Sequence, residues 1–344
     1  MRLSMVSRGP GSRTSAAFGV VGIGFLNDNS AMKNERATPT IPRRQFGSTD
    51  VTISAIGLGG YHLGLVKRQA EWLRIVHEAL DAGIDFMDNC WDYHDGESEK
   101  RLGKALEGRR HQAFLMTKVC VHGRDGKVAM KQLEESLRRL RTDYLDLWQI
   151  HEVVYENEPD LYFRKGGAAE ALARAKKEGK VRFIGFTGHK DPSIHLRMLE
   201  SGFPFDSCQL PLNCFDATFR SFEQAVLPEL NRRGIAPIGM KSMGGEGLPV
   251  RKKVVTPQEA LRYAMSLPVA TTVSGIDSLK VLRQNLAIAR GFESLSKRAM
   301  SQLRKRTAEV AADGVYELYK VSMKHDGPEG RKAHGFPSPD AMAL

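Results

Sequence analysis

The sequence predicts an α/β protein whose fold is a (β/α)8 TIM barrel. Short apolar segments alternate with amphipathic segments of helical period along most of the chain, which is typical of a parallel sheet whose strands are joined by helices. Eight strand–helix units in succession fit a closed barrel. The predicted strands cover residues 53–58, 84–87, 113–117, 144–148, 181–186, 205–209, 235–239 and 270–274.

A recurrent glycine supports this division into units. In four places an amphipathic segment ends at a glycine and a short apolar segment follows; the glycines are Gly83, Gly179, Gly202 and Gly234. Glycine favours the position just after a helix because it adopts the left-handed backbone conformation without strain. An open, doubly wound sheet is the alternative fold. Its phosphate-binding fingerprint is incomplete here, because the turn from Gly57 to His62 lacks the final glycine.

Composition indicates a globular protein with a sizeable core. The chain has 344 residues, of which 41% are hydrophobic and 26% charged, and its formal net charge is +11. The basic residues form scattered clusters without interleaved aromatic residues, so we predict no nucleic-acid partner. A positive field would also favour an anionic small ligand such as a nucleotide. The oligomeric state stays open.

The four cysteines have no Cys-x-x-Cys spacing, and this predicts neither a metal site nor a disulfide framework. Their pattern favours a reducing compartment, which we take to be the cytoplasm.

Residues 1–40 are interpreted as a leader that is either disordered or a weak signal-like segment. Its apolar run, Ala16 to Leu26, is too short to span a bilayer, so no membrane association is predicted. Two alternatives for this segment stay open: it could direct secretion, or translation could begin at Met32. Residues 41–320 would form the barrel, and residues 321–344 a flexible tail.

Polar residues follow the predicted strands on the side where barrel enzymes carry their chemistry. Asp88 ends the second strand and Tyr93 lies in its loop, Lys118 follows the third strand, and His151 follows the fourth. A tyrosine with a pKa of ~10 is a poor acid at neutral pH, but a nearby ammonium group lowers that pKa. Asp88 would hold Lys118 in place, and His151 would orient a carbonyl oxygen. The set predicts a proton donor beside a carbonyl group.

These four residues make residues 44–290 resemble the aldo-keto reductase family. The resemblance also rests on Gly96 to Glu99 after Tyr93, on Asp146-Leu147 before His151, and on Gln209, Gly275 and Asn285. It implies NAD(P)H-dependent reduction of an aldehyde or ketone to an alcohol. Tyr93 would be the proton donor, tuned by Lys118 and Asp88. The implied cofactor is NADPH, with NADH as the alternative, bound across the barrel rim.

The resemblance also assigns cofactor residues. Gly59 and Gly60 would lie near the cofactor and substrate, Thr187 and Gln209 would bind the nicotinamide carboxamide, and Lys241 would reach the pyrophosphate. Gly275, Lys280 and Asn285 would bind the adenosine phosphates. Three positions depart from the family pattern: Gly188 replaces an asparagine, Met240 a tyrosine that stacks on nicotinamide, and Val281 an arginine.

On the substrate side, Tyr61 and Trp91 could form an apolar wall, while Glu152 replaces an aromatic residue of some relatives and would make the pocket more polar. Two alternatives stay open. One is a nucleotide-sensing or partner-binding protein on a reductase scaffold. The other is an unrelated barrel that binds phosphorylated sugars near Gly244 and Gly275.

Overall fold

Eight parallel strands form a closed barrel in the order β10-β3-β4-β5-β6-β7-β8-β9, which confirms the predicted fold class. The structure is a computed structural model that describes residues 40–120, 125–323 and 325–326. Its strands are β1 (Arg43–Gln45), β2 (Thr52–Ser54), β3 (Ile56–Gly59), β4 (Phe86–Asp88), β5 (Phe114–Val119), β6 (Leu145–Ile150), β7 (Val181–Thr187), β8 (Ser207–Pro211), β9 (Ala236–Met240) and β10 (Thr271–Gly275).

The first predicted strand, residues 53–58, is two strands in the structure. Thr52–Ser54 pairs antiparallel with Arg43–Gln45 in a hairpin, and only Ile56–Gly59 joins the barrel. The chain changes partners at Ala55, whose N–H donates to Pro42 O at 2.8 Å. The break between the two strands could not be seen in the sequence, because every residue from Ile53 to Gly59 is buried and the run looks like one strand.

The hairpin closes one end of the barrel. Phe46, which follows β1, is fully buried, and its ring lies 5.0 Å from that of Phe114 and 5.1 Å from that of Phe183. Phe114 begins β5 and Phe183 lies near the start of β7, so the aromatic plug fills the amino-terminal end. A ligand must therefore approach from the carboxyl ends of the strands.

Helices surround the barrel and bury apolar faces against it. For example, Trp72, Ile75, Val76 and Ala79 form the buried face of α2. The helices are α1 (Gly60–Leu65), α2 (Gln69–Asp81), α3 (Glu97–Ala105), α4 (Gly126–Leu140), α5 (Glu158–Phe163), α6 (Ala168–Lys177), α7 (Pro192–Glu200), α8 (Phe222–Ala225), α9 (Leu227–Arg233), α10 (Leu248–Arg251), α11 (Pro257–Ser266), α12 (Leu279–Ala289), α13 (Lys297–Ala311) and α14 (Leu318–Val321). Two 3-10 turns cover Arg110–Gln112 and Asp216–Thr218.

Side-chain caps fix several helix starts. Thr256 and Glu259 form a reciprocal capping box at α11, and Asp191 caps α7.

The described helices include none that is long and apolar enough to cross a bilayer. The predictions for the leader and for most of the tail fall outside the described residues. Of the tail, Asp326 lies in the described part, and its carboxylate is 2.7 Å from Lys190 Nζ.

Candidate active site

The strand register brings Asp88, Lys118 and His151 to the open end of the barrel. Asp88 ends β4 and pairs in register with Gly59 of β3. Lys118 is the penultimate residue of β5 and pairs with Gln149 of β6, two residues before His151. Three neighbouring strands thus deliver a carboxylate, an ammonium group and an imidazole at the same level.

Lys118 is the centre of this group. Its Nζ donates to Asp88 Oδ1 at 2.6 Å, to the backbone oxygen of Asn89 at 2.7 Å and to Tyr93 Oη at 3.4 Å. The side chain of Lys118 is 1% exposed and that of Asp88 is 5% exposed. All three ammonium protons therefore have acceptors, and the group has a fixed position.

Tyr93 is held by the tight turn that follows β4. His94, Asp95 and Gly96 all have positive φ angles, and the turn leads directly into α3. Gly96 has φ +80°, a conformation that favours glycine, and a Cβ there would displace the Arg139 guanidinium group. The turn places the Tyr93 ring 5.0 Å from Lys118 Nζ.

The pKa of Tyr93 differs in direction from the sequence expectation. Burial raises it well above its usual value, and the negative charge of Asp88 raises it further. Asp88 therefore acts opposite to the expectation that it lowers this pKa, whereas the tuning of Tyr93 by Lys118 stays a prediction. Tyr93 is consequently held as a neutral phenol, which is the form that can donate a proton.

His151 completes the group beside Tyr93, with ring centroids 5.7 Å apart and an interplanar angle of 79°. Its Nδ1 lies 3.1 Å from Cys90 Sγ and 3.7 Å from Asp92 Oδ1. Its Nε2 lies 3.9 Å from Glu152 Oε1. The two ring nitrogens therefore face different surroundings, with Cys90 and Asp92 on one side and Glu152 on the other.

One constellation was missed from the sequence. Cys90, Asp92 and His151 each bring a potential metal-ligand atom within 4.8 Å of the others. Motif spacing could not reveal it, because His151 comes from a different strand. Burial raises the pKa of the Cys90 thiol well above its usual value, which disfavours the thiolate that a metal ion needs. The absence of a metal site stays a prediction.

Gln209 and Asn285 offer buried polar atoms that the described residues leave without a hydrogen-bond partner. Gln209 pairs in register with Thr187; its Nε2 donates to Asp88 Oδ1 at 3.3 Å, and its Oε1 is unpartnered. Asn285 Nδ2 donates to Ser274 Oγ at 3.0 Å, and its Oδ1 is likewise unpartnered. Unsatisfied buried acceptors of this kind fit a bound polar ligand.

The glycines at the rim are places of close backbone approach. A Cβ at Gly59 would lie 3.0 Å from Ser274 O, one at Gly60 would lie 2.9 Å from Asn89 Cγ, and one at Gly275 would run into the ring of His62. Gly188 is crowded as well, since a Cβ there would lie 2.7 Å from His195 Cε1. This crowding explains why the family's asparagine is absent at Gly188.

The remaining predicted residues are more scattered. Lys241 follows β9 with φ +55°, and its Nζ lies 5.2 Å from the ring of Tyr319, a residue that sequence reasoning missed. Lys280 is exposed in the first turn of α12. Tyr61 is 50% exposed, and its ring lies 5.5 Å from that of Tyr93. Trp91 is directed away from this group.

The indole of Trp91 packs against α4. Its N–H donates to Glu135 Oε2 at 2.9 Å, and the guanidinium of Arg139 lies 5.2 Å from its ring. The structure therefore brings Tyr61, but not Trp91, to the predicted substrate side.

Comparison with known proteins agrees with this arrangement. The sequence model described as "Aldo/keto reductase family" matches residues 55–258. An uncharacterized oxidoreductase of Bacillus subtilis (strain 168), YqkF, is 28% identical over 291 residues, which cover 72% of this chain and 90% of that protein. L-galactose dehydrogenase of Arabidopsis thaliana is 26% identical over 292 residues, which cover 74% of this chain and 90% of that protein.

Solved structures share the fold. The aldo-keto reductase AKR11C1 from Bacillus halodurans, in its holo form, superposes with a TM-score of 0.65 at 22% identity, covering 80% of this chain and 99% of that one. An aldo-keto reductase from Klebsiella pneumoniae in complex with NADPH superposes with a TM-score of 0.64 at 21% identity, covering 78% of this chain and 96% of that one.

The fold and the family match define an oxidoreductase built on a (β/α)8 barrel. The chain belongs to the aldo-keto reductase family, which confirms the resemblance seen in the sequence. Its activity is therefore the NAD(P)H-dependent reduction of an aldehyde or ketone to an alcohol.

Proposed function

We propose that Tyr93 is the proton donor of this reduction, that Lys118 and Asp88 hold and stabilise it, and that His151 orients the carbonyl oxygen. The observation that carries this assignment is the contact between Lys118 Nζ and Tyr93 Oη at 3.4 Å. An ammonium group only donates hydrogen bonds, so the phenol oxygen must accept here. The phenol proton is then free to point at a substrate oxygen.

The proton moves from Tyr93 Oη to the carbonyl oxygen, which becomes the hydroxyl of the alcohol. When bound, the nicotinamide cofactor supplies the hydride that reduces the carbonyl carbon. The phenolate left on Tyr93 lies beside the ammonium group of Lys118, which stabilises the negative charge as it develops. Asp88 holds the Lys118 ammonium group in position through a contact of 2.6 Å. A proton from solvent then restores the phenol.

His151 would donate to the carbonyl oxygen from Nε2. Its Nδ1 lies 3.1 Å from Cys90 Sγ, and its Nε2 is on the other side of the ring, 3.9 Å from Glu152 Oε1. Tyr61, beside Tyr93, would line the substrate side of the pocket. The two donors, Tyr93 and His151, would then meet at one oxygen atom.

The residues present fit a nicotinamide dinucleotide. Gln209 Oε1 is a buried acceptor without a partner, suited to a carboxamide N–H₂, and Thr187 lies beside it in the register. Gly59, Gly60 and Gly275 would allow close approach of the ligand to the backbone. Lys241 would contact the pyrophosphate. Gly188 leaves no room for a second amide contact.

NADPH is proposed as the preferred cofactor. Lys280 lies exposed in the first turn of α12, and Asn285 lies one and a half turns further along that helix. The amino-terminal end of a helix and a lysine together favour a phosphate group. NADH lacks the 2′-phosphate that Lys280 would contact.

Small carbonyl compounds are the proposed substrates. Two relatives have names that specify a carbonyl substrate. They are 6-dehydroglucose reductase of Novosphingobium aromaticivorans and methylglyoxal reductase YeaE of Escherichia coli (strain K12).

We propose a cytoplasmic location because all four cysteines are buried and none forms a disulfide, as a reducing compartment permits. No nucleic-acid partner is proposed.

The test compares Tyr93→Phe with the wild type on a panel of aldehydes, following NADPH and NADH consumption. Removing the general acid should lower kcat by about 10²- to 10⁴-fold. NADPH binding, measured by nicotinamide fluorescence, should be retained because the phenol ring stays in place. Tyr144→Phe is the matched control, since Tyr144 precedes β6 at the opposite end of the barrel.

Equal turnover by Tyr93→Phe and the wild type would remove Tyr93 from the chemistry. Tight nucleotide binding by the wild type without turnover of any carbonyl compound would instead favour a nucleotide-sensing protein on a reductase scaffold.

A further inference from the structure

Glu152 and Lys241 are among the charged residues that have positive φ angles in the loops at the open end of the barrel. Glu152, directly after His151, has φ +49°, and Lys241, directly after β9, has φ +55°. The left-handed conformation is unfavourable for a residue with a Cβ. A strained backbone conformation persists only where the surrounding structure holds the residue in place. Such conformations are frequent at functional sites.

The carboxyl group of Glu152 lies where a substrate would bind. Its Oε1 is 3.9 Å from His151 Nε2, the nitrogen proposed to hold the carbonyl oxygen. The side chain is 21% exposed. No hydrogen bond from the described residues reaches this carboxyl group, although other buried acidic groups nearby, such as Glu158, accept two backbone N–H groups.

Electrostatics make Glu152 suited to a neutral polar partner. Burial and the negative charge of Asp92 raise its pKa to about 8, while Lys241 opposes that shift. At neutral pH the group is therefore largely a protonated carboxyl, which both donates and accepts a hydrogen bond. A hydroxyl group has the same dual capacity. An alkyl group bound at this position would cover the carboxyl group without offering it a hydrogen bond, at a cost in free energy.

We propose that Glu152 is a substrate-binding residue that hydrogen-bonds a hydroxyl on the carbon next to the carbonyl, so that the enzyme prefers α-hydroxy carbonyl compounds. This inference rests on the proposed role of His151. The two oxygens of such a substrate sit on adjacent carbons, so a carbonyl oxygen held on Nε2 brings its α-hydroxyl beside Glu152. The hydroxyl then satisfies a carboxyl group that the protein itself leaves open.

The experiment uses two aldehydes of similar size, 2-hydroxypropanal and 2-methylpropanal, with NADPH. For each enzyme the ratio of kcat/KM for the hydroxylated aldehyde to that for the methylated one is measured. The wild type should favour the hydroxylated aldehyde, and Glu152→Leu should lower the ratio by about tenfold, the effect of one hydrogen bond. Glu152→Gln should keep most of the preference, because an amide also donates and accepts.

The matched control is Glu156→Leu, which removes an exposed glutamate from the same loop and should leave the ratio unchanged. Nicotinamide fluorescence and thermal unfolding establish that each variant is folded. A ratio in Glu152→Leu equal to that of the wild type overturns the inference while the proposed reduction stands. Failure of the wild type to reduce either aldehyde, despite bound NADPH, contradicts both the proposed function and this inference.

Discussion

Two buried lysines, Lys118 in the barrel and Lys320 in the carboxyl-terminal segment, have nearly the same coordination. Each ammonium group meets three oxygen atoms. Lys118 Nζ contacts Asp88 at 2.6 Å, Asn89 O at 2.7 Å and Tyr93 Oη at 3.4 Å. Lys320 Nζ contacts the atoms Asp216 Oδ1 at 2.7 Å, Glu317 Oε2 at 2.8 Å and Phe219 O at 2.8 Å.

The difference lies in the third partner. Lys320 contacts two buried carboxylates and the backbone carbonyl of Phe219, and it joins the segment around α14 to the loop after β8. Lys118 has one carboxylate, and its longest contact goes to a phenol that borders the open end of the barrel. Burial of a lysine is therefore no sign of chemistry by itself. The contact to the Tyr93 phenol at the open end of the barrel distinguishes Lys118, the lysine proposed to be catalytic, from Lys320.

The largest expected effect separates the two lysines by activity. Lys118→Met removes the cation that stabilises the Tyr93 phenolate, so kcat should fall by about 10²- to 10⁴-fold. NADPH titration by nicotinamide fluorescence should still show binding. Turnover is expressed per folded molecule, because the substitution also leaves Asp88 buried without its cation. A kcat within twofold of the wild type would place Lys118 with Lys320 as a structural residue.

The second prediction concerns stability. Lys320→Met leaves Asp216 and Glu317 buried without a cation, and the free energy of unfolding should fall by about 3 to 5 kcal/mol. Burial already raises the pKa of both carboxyl groups, which therefore have little capacity to remain charged alone. Urea unfolding measures the loss. The triple variant Lys320→Met, Asp216→Asn and Glu317→Gln is the control and should recover part of it.

For Lys320→Met, kcat per folded molecule should stay near the wild-type value. A large fall in kcat without a loss of stability would contradict the structural role of Lys320.

Lys118 could be singled out from the sequence as a candidate site residue, whereas the role of Lys320 could not be predicted, for a physical reason. Lys118 follows an apolar strand, and the barrel fold places such strand ends together. Its neighbours Asp88 and His151 could therefore be inferred from strand order alone. Lys320 meets Asp216 across 104 positions through contacts outside the repeating strand–helix units. No local pattern carries that information.

Local side-chain directions were equally hidden. Trp91 lies between Asp88 and Tyr93 in the sequence, yet its indole packs against α4 instead of the substrate side. The Cys90–His151 contact at 3.1 Å depends on where two loops meet. The pKa of Tyr93 is raised by burial and by nearby acidic groups, and sequence spacing does not report burial. Strand order could be predicted, whereas desolvation could not.

A third buried group, His195, avoids the cost of a buried charge by staying neutral. It is fully buried in α7, with its ring 5.3 Å from Phe186 and 4.9 Å from Phe222. Burial lowers its pKa from 6.5 to about 4. Below pH 6.5 the unfolded chain therefore binds a proton that the folded chain does not bind. The contribution of His195 to stability is present above pH 6.5 and is lost as the pH falls towards 4.

This loss should reach about 3 kcal/mol by pH 4. Urea unfolding at pH 7 and at pH 4.5 measures it, comparing the wild type with His195→Leu. The variant should lose less stability on acidification, whereas the exposed control His111→Gln should behave like the wild type. An equal acid-induced loss in wild type and His195→Leu would mean that the imidazole becomes charged inside the fold. A charged His195 would need a hydrogen-bond acceptor inside the fold, as Lys118 and Lys320 do. These three buried basic groups would then all be charged and paired with acceptors, and none of them would be kept neutral by a lowered pKa.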